Sequence, residues 1–270
     1  MDDLSDIRQL YNAGWDAEAA RLQRHQLEAE ITWRYLNRYL PSNGRILEVG
    51  CGTGFYTFAL ARRGYQMTAI DLADEFVARC KATAKDLHLS DQIDFCVGDA
   101  RTLRGIPRKA FDAVLLMGPL YHLVLKTDRL AALRSAYACL KPGGVIVSAL
   151  VSRFGVLGGL LKHSSSWIEN QDEVWALIRQ GHRSPDAPRG GFRGYFVHLD
   201  EIAPLHEAVG FRTAQIAGVE PAISADDESF NRLEGSQRDR WVDLLFDVSA
   251  DQSMVASSRH IVYVGHKPAA

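Results

Sequence analysis

The sequence predicts an α/β protein with a doubly wound, mostly parallel sheet. Three observations predict it: short runs that are apolar on both faces, helix-period segments between them, and a glycine-rich turn directly after the first run. From about residue 17 to Leu40 the apolar positions Ala29, Trp33, Leu36 and Leu40 fall on one face of an amphipathic helix, which Pro41 ends. RILEV at 45–49 reads as a strand opening into GCGTG at 50–54, and FYTFALARRG then reads as a helix closed by Gly64. MTAID at 67–71 is the next strand, and Phe76, Cys80, Ala84 and Leu87 share a face of the helix after it. IDFCVGD at 93–99 and AFDAVLLM at 110–117 continue the alternation. Leu130, Leu133, Tyr137 and Leu140 mark a helix that KPGG at 141–144 stops, and GVIVSALV at 144–151 is a near-continuous apolar strand.

The regular alternation ends there. Residues 152–198 are richer in Gly, Ser, His and Arg and read as an insertion with a helix around Gln171–Gln180. Asp200 reads as the cap of a helix that turns Ile202, Leu205 and Val209 inward and ends at Gly210. FRTAQIA at 211–217 and HIVYVG at 260–265 are strands, and between them Trp241, Leu244, Leu245 and Val248 share a helix face.

Composition narrows the function classes. The 270 residues hold 31 Lys+Arg against 33 Asp+Glu, with 47% hydrophobic and 24% charged residues, the balance of an ordinary globular protein. A formal charge of −2 lacks the broad basic excess that coats nucleic acid or an anionic membrane, so neither is an expected partner. MDDLSD is not a leader pattern and no apolar stretch reaches the roughly 18 residues of a span, which predicts a cytoplasmic chain. Cys51, Cys80, Cys96 and Cys139 show no CxxC pair and no metal-ligand spacing, so reduced thiols and no metal are expected.

The informative stretch is EVGCGTG, Glu48 to Gly54, with Asp71 and Asp99 at the ends of the next two strands. A dinucleotide fingerprint wants G-x-G-x-x-G, whereas here the glycines run G-x-G-x-G and Phe55 fills the third slot. Glu48 would also stand close to a pyrophosphate. Three acids at the carboxyl ends of successive strands suit a ligand with positive charge and ribose hydroxyls but no phosphate. S-adenosylmethionine has a sulfonium, an ammonium, a ribose and an adenine. In that reading Asp71 accepts from the ribose diol, Asp99 with Ala100 faces the adenine, and Glu48 shapes the turn and the methionine end; the bland alternative is a flexible loop.

ILEVGCGTG, AID at 69–71, GDA at 98–100, FDAVLLMGPLYHL at 111–123 and LKPGG at 140–144 together resemble class I S-adenosylmethionine-dependent methyltransferases, in particular the small-molecule group of type 11 or 25. The resemblance is most specific over 45–150. It implies a Rossmann-like, seven-stranded sheet with a reversed C-terminal strand, supplied by 211–217 and 260–265. It divides one domain, 1–270, into an N-terminal helical lid (1–44), a cofactor-binding core (45–151), a substrate-side insertion (152–198) and the C-terminal part of the sheet (199–270). It also implies that Gly50, Cys51, Gly52, Gly54, Asp71, Leu72, Asp99, Ala100 and Met117 surround the cofactor, with Tyr11 of the lid. Cys51 stands in a slot that is often small or acidic.

Methyl transfer from a sulfonium mainly needs a nucleophile held in line and water excluded. Tyr121 and His122, just past the fourth strand, are the catalytic candidates. His122 is read either as a general base, which its ordinary pKa suits, or as a group that caps the loop or lies against the adenosine. Trp15 and His25 join Tyr11 in the N-terminal segment, read either as aromatics closing over the sulfonium and substrate or as helix packing. In the basic segment 179–198, Arg183, Arg189 or Arg193 could pair with an anionic group on the acceptor, beside Tyr195 and His198; the alternative is a solvated loop. The leading expectation is methyl transfer to a small-molecule acceptor by a monomer or homodimer. A tRNA-modifying methyltransferase acting on a modified wobble uridine and a non-catalytic S-adenosylmethionine-binding regulator are the alternatives.

Overall fold

A computed structural model describes residues 1–183, 193–221 and 226–269. Its centre is a seven-stranded sheet of order β3-β2-β1-β4-β5-β9-β8. The strands are β1 Arg45–Val49, β2 Gln66–Asp71, β3 Ile93–Val97, β4 Phe111–Leu116, β5 Leu140–Val151, β8 Arg212–Gly218 and β9 His260–His266; a separate pair, β6 His182–Arg183 and β7 Gly194–Tyr195, lies in the insertion. β1 to β5 pair in parallel, and β9 runs antiparallel to both β5 and β8. The reversed strand expected at the C-terminus is therefore β9, inserted between β5 and β8.

Period two along each strand sorts side chains into the two helical layers. Ile46, Ala113, Leu115 and Val147 face one apolar cluster, in which Leu27, Ile31, Tyr35, Phe58 and Leu60 are buried. Leu47, Val49, Val114 and Ile146 face the other, with Ala132, Leu133, Ala136, Ile202 and Leu205. Helices α5 Phe55–Arg62, α6 Asp74–Asp86 and α8 Lys126–Cys139 make the crossovers between parallel strands; α7 Pro119–His122 is a single turn beyond β4.

The N-terminal segment departs from the expected single helix over 17–40. It forms α1 Ser5–Asn12, α2 Trp15–Ala19, α3 Arg21–Arg24 and α4 Gln26–Tyr39. His25 breaks it, with φ −108° and ψ 60°, outside helical space. KPGG ends α8 as expected but then runs on into β5, across a register shift opposite Phe111 and Ala113. The helix at 199 is capped by His198 rather than Asp200: in α11 Leu199–Glu207 the His198 ring accepts from the Asp200 N–H, and Glu201 reaches back to the His198 N–H. In α13 Gly235–Val248 the buried face is Val242 and Leu245, while Trp241 and Leu244 are 44% and 52% exposed. The helix is rotated by about one residue from the stripe its sequence suggests, because Phe246 and Ser249 meet Tyr35 of α4. The insertion carries α9 Leu157–His163, a 3-10 turn Ser165–Glu169, α10 Gln171–Trp175 and a π turn Ala176–Gln180 around Val151, Val156, Trp167, Val174, Leu177 and Phe196. Among the described residues no helix is long and apolar enough to cross a membrane.

Candidate active site

A cleft of about 680 Å³, counted to its open mouth, lies at the carboxyl ends of β1, β2 and β4, where ligands bind in open parallel sheets. The turn after β1 fits backbone tightly around it. Gly50 has φ 79°, and a Cβ there would stand 2.7 Å from Pro119 Cδ; Gly54 has φ 80°, and a Cβ there would stand 2.5 Å from the Phe58 ring. Both positions need glycine for conformation and for space.

Asp71 organises this turn. Its Oδ2 accepts from the Gly52 N–H at 2.8 Å and its Oδ1 from the Ala73 N–H at 2.9 Å. Burial raises its pKa, against the lowering by these backbone donors, and the field of Glu18 adds to the rise. Of the residues expected around the cofactor, Tyr11, Gly50, Gly52, Asp71, Leu72, Asp99, Ala100 and Met117 line the cleft, and so do Tyr121 and His122. Glu48, Cys51 and Gly54 are not in its wall. Glu48 shares the Ile46 side of β1, is 1% exposed and accepts from the Thr57 hydroxyl of α5. Burial pushes its carboxyl up to about 8, with the Asp71 field adding to the rise. At neutral pH it is therefore not one of three charges facing a ligand. Glu18 of α2 lines the cleft instead; a polar helix without an apolar stripe gave no signal that it would.

Asp99 is engaged by its own neighbour, accepting from the Arg101 backbone N–H at 2.8 Å and from Arg101 Nη2 at 2.6 Å. Arg101 also holds Asp128 at 2.8 Å and the Asp2 carbonyl at 2.6 Å. Arg193 pairs with Asp2 at 2.6 Å and Asp6 at 2.9 Å. These contacts fasten the N-terminus so that Leu4, Ile7 and Tyr11 close one side of the cleft. Arg193→Gln is expected to weaken cofactor-product binding about three- to tenfold while shifting thermal stability little, because its partners are half-exposed; calorimetry on the variant checks it.

The Tyr11 hydroxyl meets His122 Nε2 at 2.8 Å. Burial pushes the His122 imidazolium down to about 3, with the Arg193 charge lowering it further against a backbone hydrogen bond. The ring is thus neutral at pH 7 and accepts from Tyr11, whose hydroxyl burial keeps protonated. The other described candidates lie outside the cleft wall, Arg183 in the wall of a second cavity. Trp15 packs edge-on against Phe76, and His25 contacts Asp227 at 2.9 Å. Tyr195 is buried beneath Arg129, with its hydroxyl on Glu201, and His198 caps α11. Arg193 is likewise held by Asp2 and Asp6 rather than standing in the cleft wall. Arg189 lies outside the described residues.

The cleft fits S-adenosylmethionine: acidic at Glu18, Asp71 and Asp99, where a sulfonium, ammonium and ribose need it, and apolar at Leu72, Ala100 and Met117 for an adenine. Residues 46–144 match a methyltransferase domain. That match covers 99 of the 270 residues and, with the sheet order and the cleft, makes the chain similar to S-adenosylmethionine-dependent methyltransferases, whose cofactor the chemistry of the cleft fits. It is similar to the ubiquinone biosynthesis O-methyltransferase of Xanthomonas campestris pv. campestris (strain B100), 35% identical over 151 residues, which are 56% of this chain and 61% of that protein. The chain thus spans about three fifths of the length of the curated relatives it matches. In fold it is similar to a SAM-dependent methyltransferase from Methanosarcina mazei, with TM-score 0.61 and 18% identity over 87% of this chain and 98% of that one. It is also similar to the [4+2]-cyclase SpnF, with TM-score 0.59 and 20% identity over 89% and 80%.

Proposed function

We propose that the chain transfers the methyl group of S-adenosylmethionine to a small-molecule acceptor. The observation that supports this reading most is the Asp71 carboxylate held by the Gly52 and Ala73 N–H groups inside a cleft that the N-terminal helices close. When bound, the cofactor supplies an electrophilic methyl on a sulfonium, open to in-line displacement. Asp71 would hold the ribose diol, Ala100 and Met117 would flank the adenine, and Glu18 would add negative potential for the cationic end. Tyr11 and Tyr121 exclude water from the reacting side, which strengthens every charge interaction within it. The relatives at 35% identity are named O-methyltransferases, which favours an oxygen nucleophile. Nucleic acid gains no support, since Arg193 of the basic segment is taken by Asp2 and Asp6.

His122, with its conjugate acid near 3, is a weak base at pH 7 and a good acceptor for Tyr11. Its role in this reading is to position Tyr11. His122→Ala should therefore lower turnover less than tenfold, and the wild-type rate should show no inflection between pH 6 and 7 from this ring. A loss of roughly 10²–10⁴ with such an inflection would restore the general base. The reading as a whole is tested by calorimetry with S-adenosylhomocysteine beside NADH, followed by an acceptor screen for S-adenosylhomocysteine formation. Micromolar binding of the former alone supports it; binding of NADH alone overturns it.

A further inference from the structure

A second cavity, about 770 Å³ to its mouth, lies under the insertion. Val151, Val156, Leu160, Trp167, Leu177 and Phe196 give it an apolar wall. Tyr121 packs against the same cluster while lining the first cleft, so the two spaces share a wall.

Two guanidinium groups enter this apolar space. Arg259 spends Nη2 on Glu220 and on His25 Nδ1, the latter at 2.9 Å. Its Nε is buried with no hydrogen-bond partner among the described residues. Its Nη1 is the one heavy atom within 4 Å of where a Cβ on Gly159 would stand, at 3.9 Å, so this edge faces the room that Gly159 leaves open. Arg183 also buries Nε without a partner among the described residues and forms no ion pair with them. Burial lowers its pKa, against the field of Glu173. Glu173, whose Oε2 is buried and unpartnered, also lines the space, with His163 and His260. Arg259 threads between His25, Glu220 and Asp227, and Arg21 pairs with Glu28 beside His260, so guanidinium groups already neutralise the clustered acids that could otherwise hold a cation. The donors a ligand in this cavity can reach are Arg259 Nη1 and the Arg183 side chain of its wall, two cations in an otherwise apolar space that an anionic group would pair with.

We propose that this cavity is a ligand pocket, and that it takes a molecule with a flat apolar body and one anionic group, a carboxylate or a phosphate. Arg259 and Arg183 meet the anionic group, Trp167 and Phe196 cover the body, and Glu173 accepts from a hydroxyl on the ligand. The pocket does not rest on the methyl-transfer reading above.

The test titrates the full chain with 2-naphthoate, 2-naphthyl phosphate and neutral 2-naphthamide by calorimetry, with S-adenosylhomocysteine titrated separately. One of the two anions should bind at least tenfold more tightly than the amide, and which one does separates carboxylate from phosphate. Arg183→Gln should weaken that anion about tenfold, the loss of one charge-assisted bond. Gly159→Leu, placed where a side chain has open room, should abolish anion binding while leaving S-adenosylhomocysteine affinity within twofold. Arg259→Gln leaves Glu220 short of a partner and can fail to fold, so the first two variants decide. Equal binding of amide and anion, no anion binding at millimolar concentration, or unchanged binding in Gly159→Leu overturns the pocket. Anion binding without S-adenosylhomocysteine binding overturns the methyl-transfer reading and leaves the pocket standing.

Discussion

Asp71→Ala is expected to weaken S-adenosylhomocysteine binding by about two orders of magnitude or more. Asp71 is 9% exposed, and its carboxylate does two things at once. Facing backward, it accepts from the Gly52 and Ala73 N–H groups at 2.8 and 2.9 Å, which holds the turn after β1 against the end of β2. Facing the cleft, its remaining lone pairs would meet the ribose diol in the proposed reading, where each charge-assisted bond is worth about 1.5–3 kcal/mol. Alanine removes the ligand bonds and orphans two backbone donors, each costing about 1–3 kcal/mol if it stays buried. Thermal unfolding of the free variant measures the second effect, and calorimetry on the folded variant measures the first. Asp71→Asn should fall between, since it keeps one acceptor and turns an amide toward an N–H. Unchanged affinity in the folded alanine variant would remove Asp71 from the site.

Much of this site was legible because it is local in sequence. Strand, glycine turn and helix follow one another within residues 45–62, and period two with positive-φ glycines sets their geometry without distant help. What escaped was fixed by long-range contacts. Leu4 and Ile7 reach the cleft where Arg101 and Arg193, far along the chain, bind Asp2 and Asp6, while Glu18 beside them pairs with Arg21. Leu4, Ile7 and Tyr11 do stand at helical spacing, but an apolar stripe does not say which surface receives it. Likewise, the face α13 buries is chosen by Tyr35 of α4, not by its own hydrophobic pattern. Glu48 is a different case: alternation along RILEV places it beside Ile46, under α5, so its departure from the cleft could have been read from the strand period alone.

That burial makes Glu48 the source of a large pH effect in the fold. Its carboxyl ordinarily titrates at 4.5 and here is pushed up to about 8. Between those values the folded chain holds a proton that the unfolded chain has released, so stability falls as pH rises through that window. The contribution is fully present below about 4.5 and is lost as pH passes 8. At about 1.4 kcal/mol per pH unit the full span is on the order of 5 kcal/mol. Glu48→Gln keeps an oxygen for the Thr57 hydroxyl and cannot ionise. Urea unfolding at pH 5 and pH 9 should therefore show the variant close to wild type at the lower pH and several kcal/mol more stable at the higher. A stability difference that stays constant with pH would mean that Glu48 is ionised inside the fold. Its burial against α5 and beside Asp71 would then need a cation partner that the described residues around it do not supply.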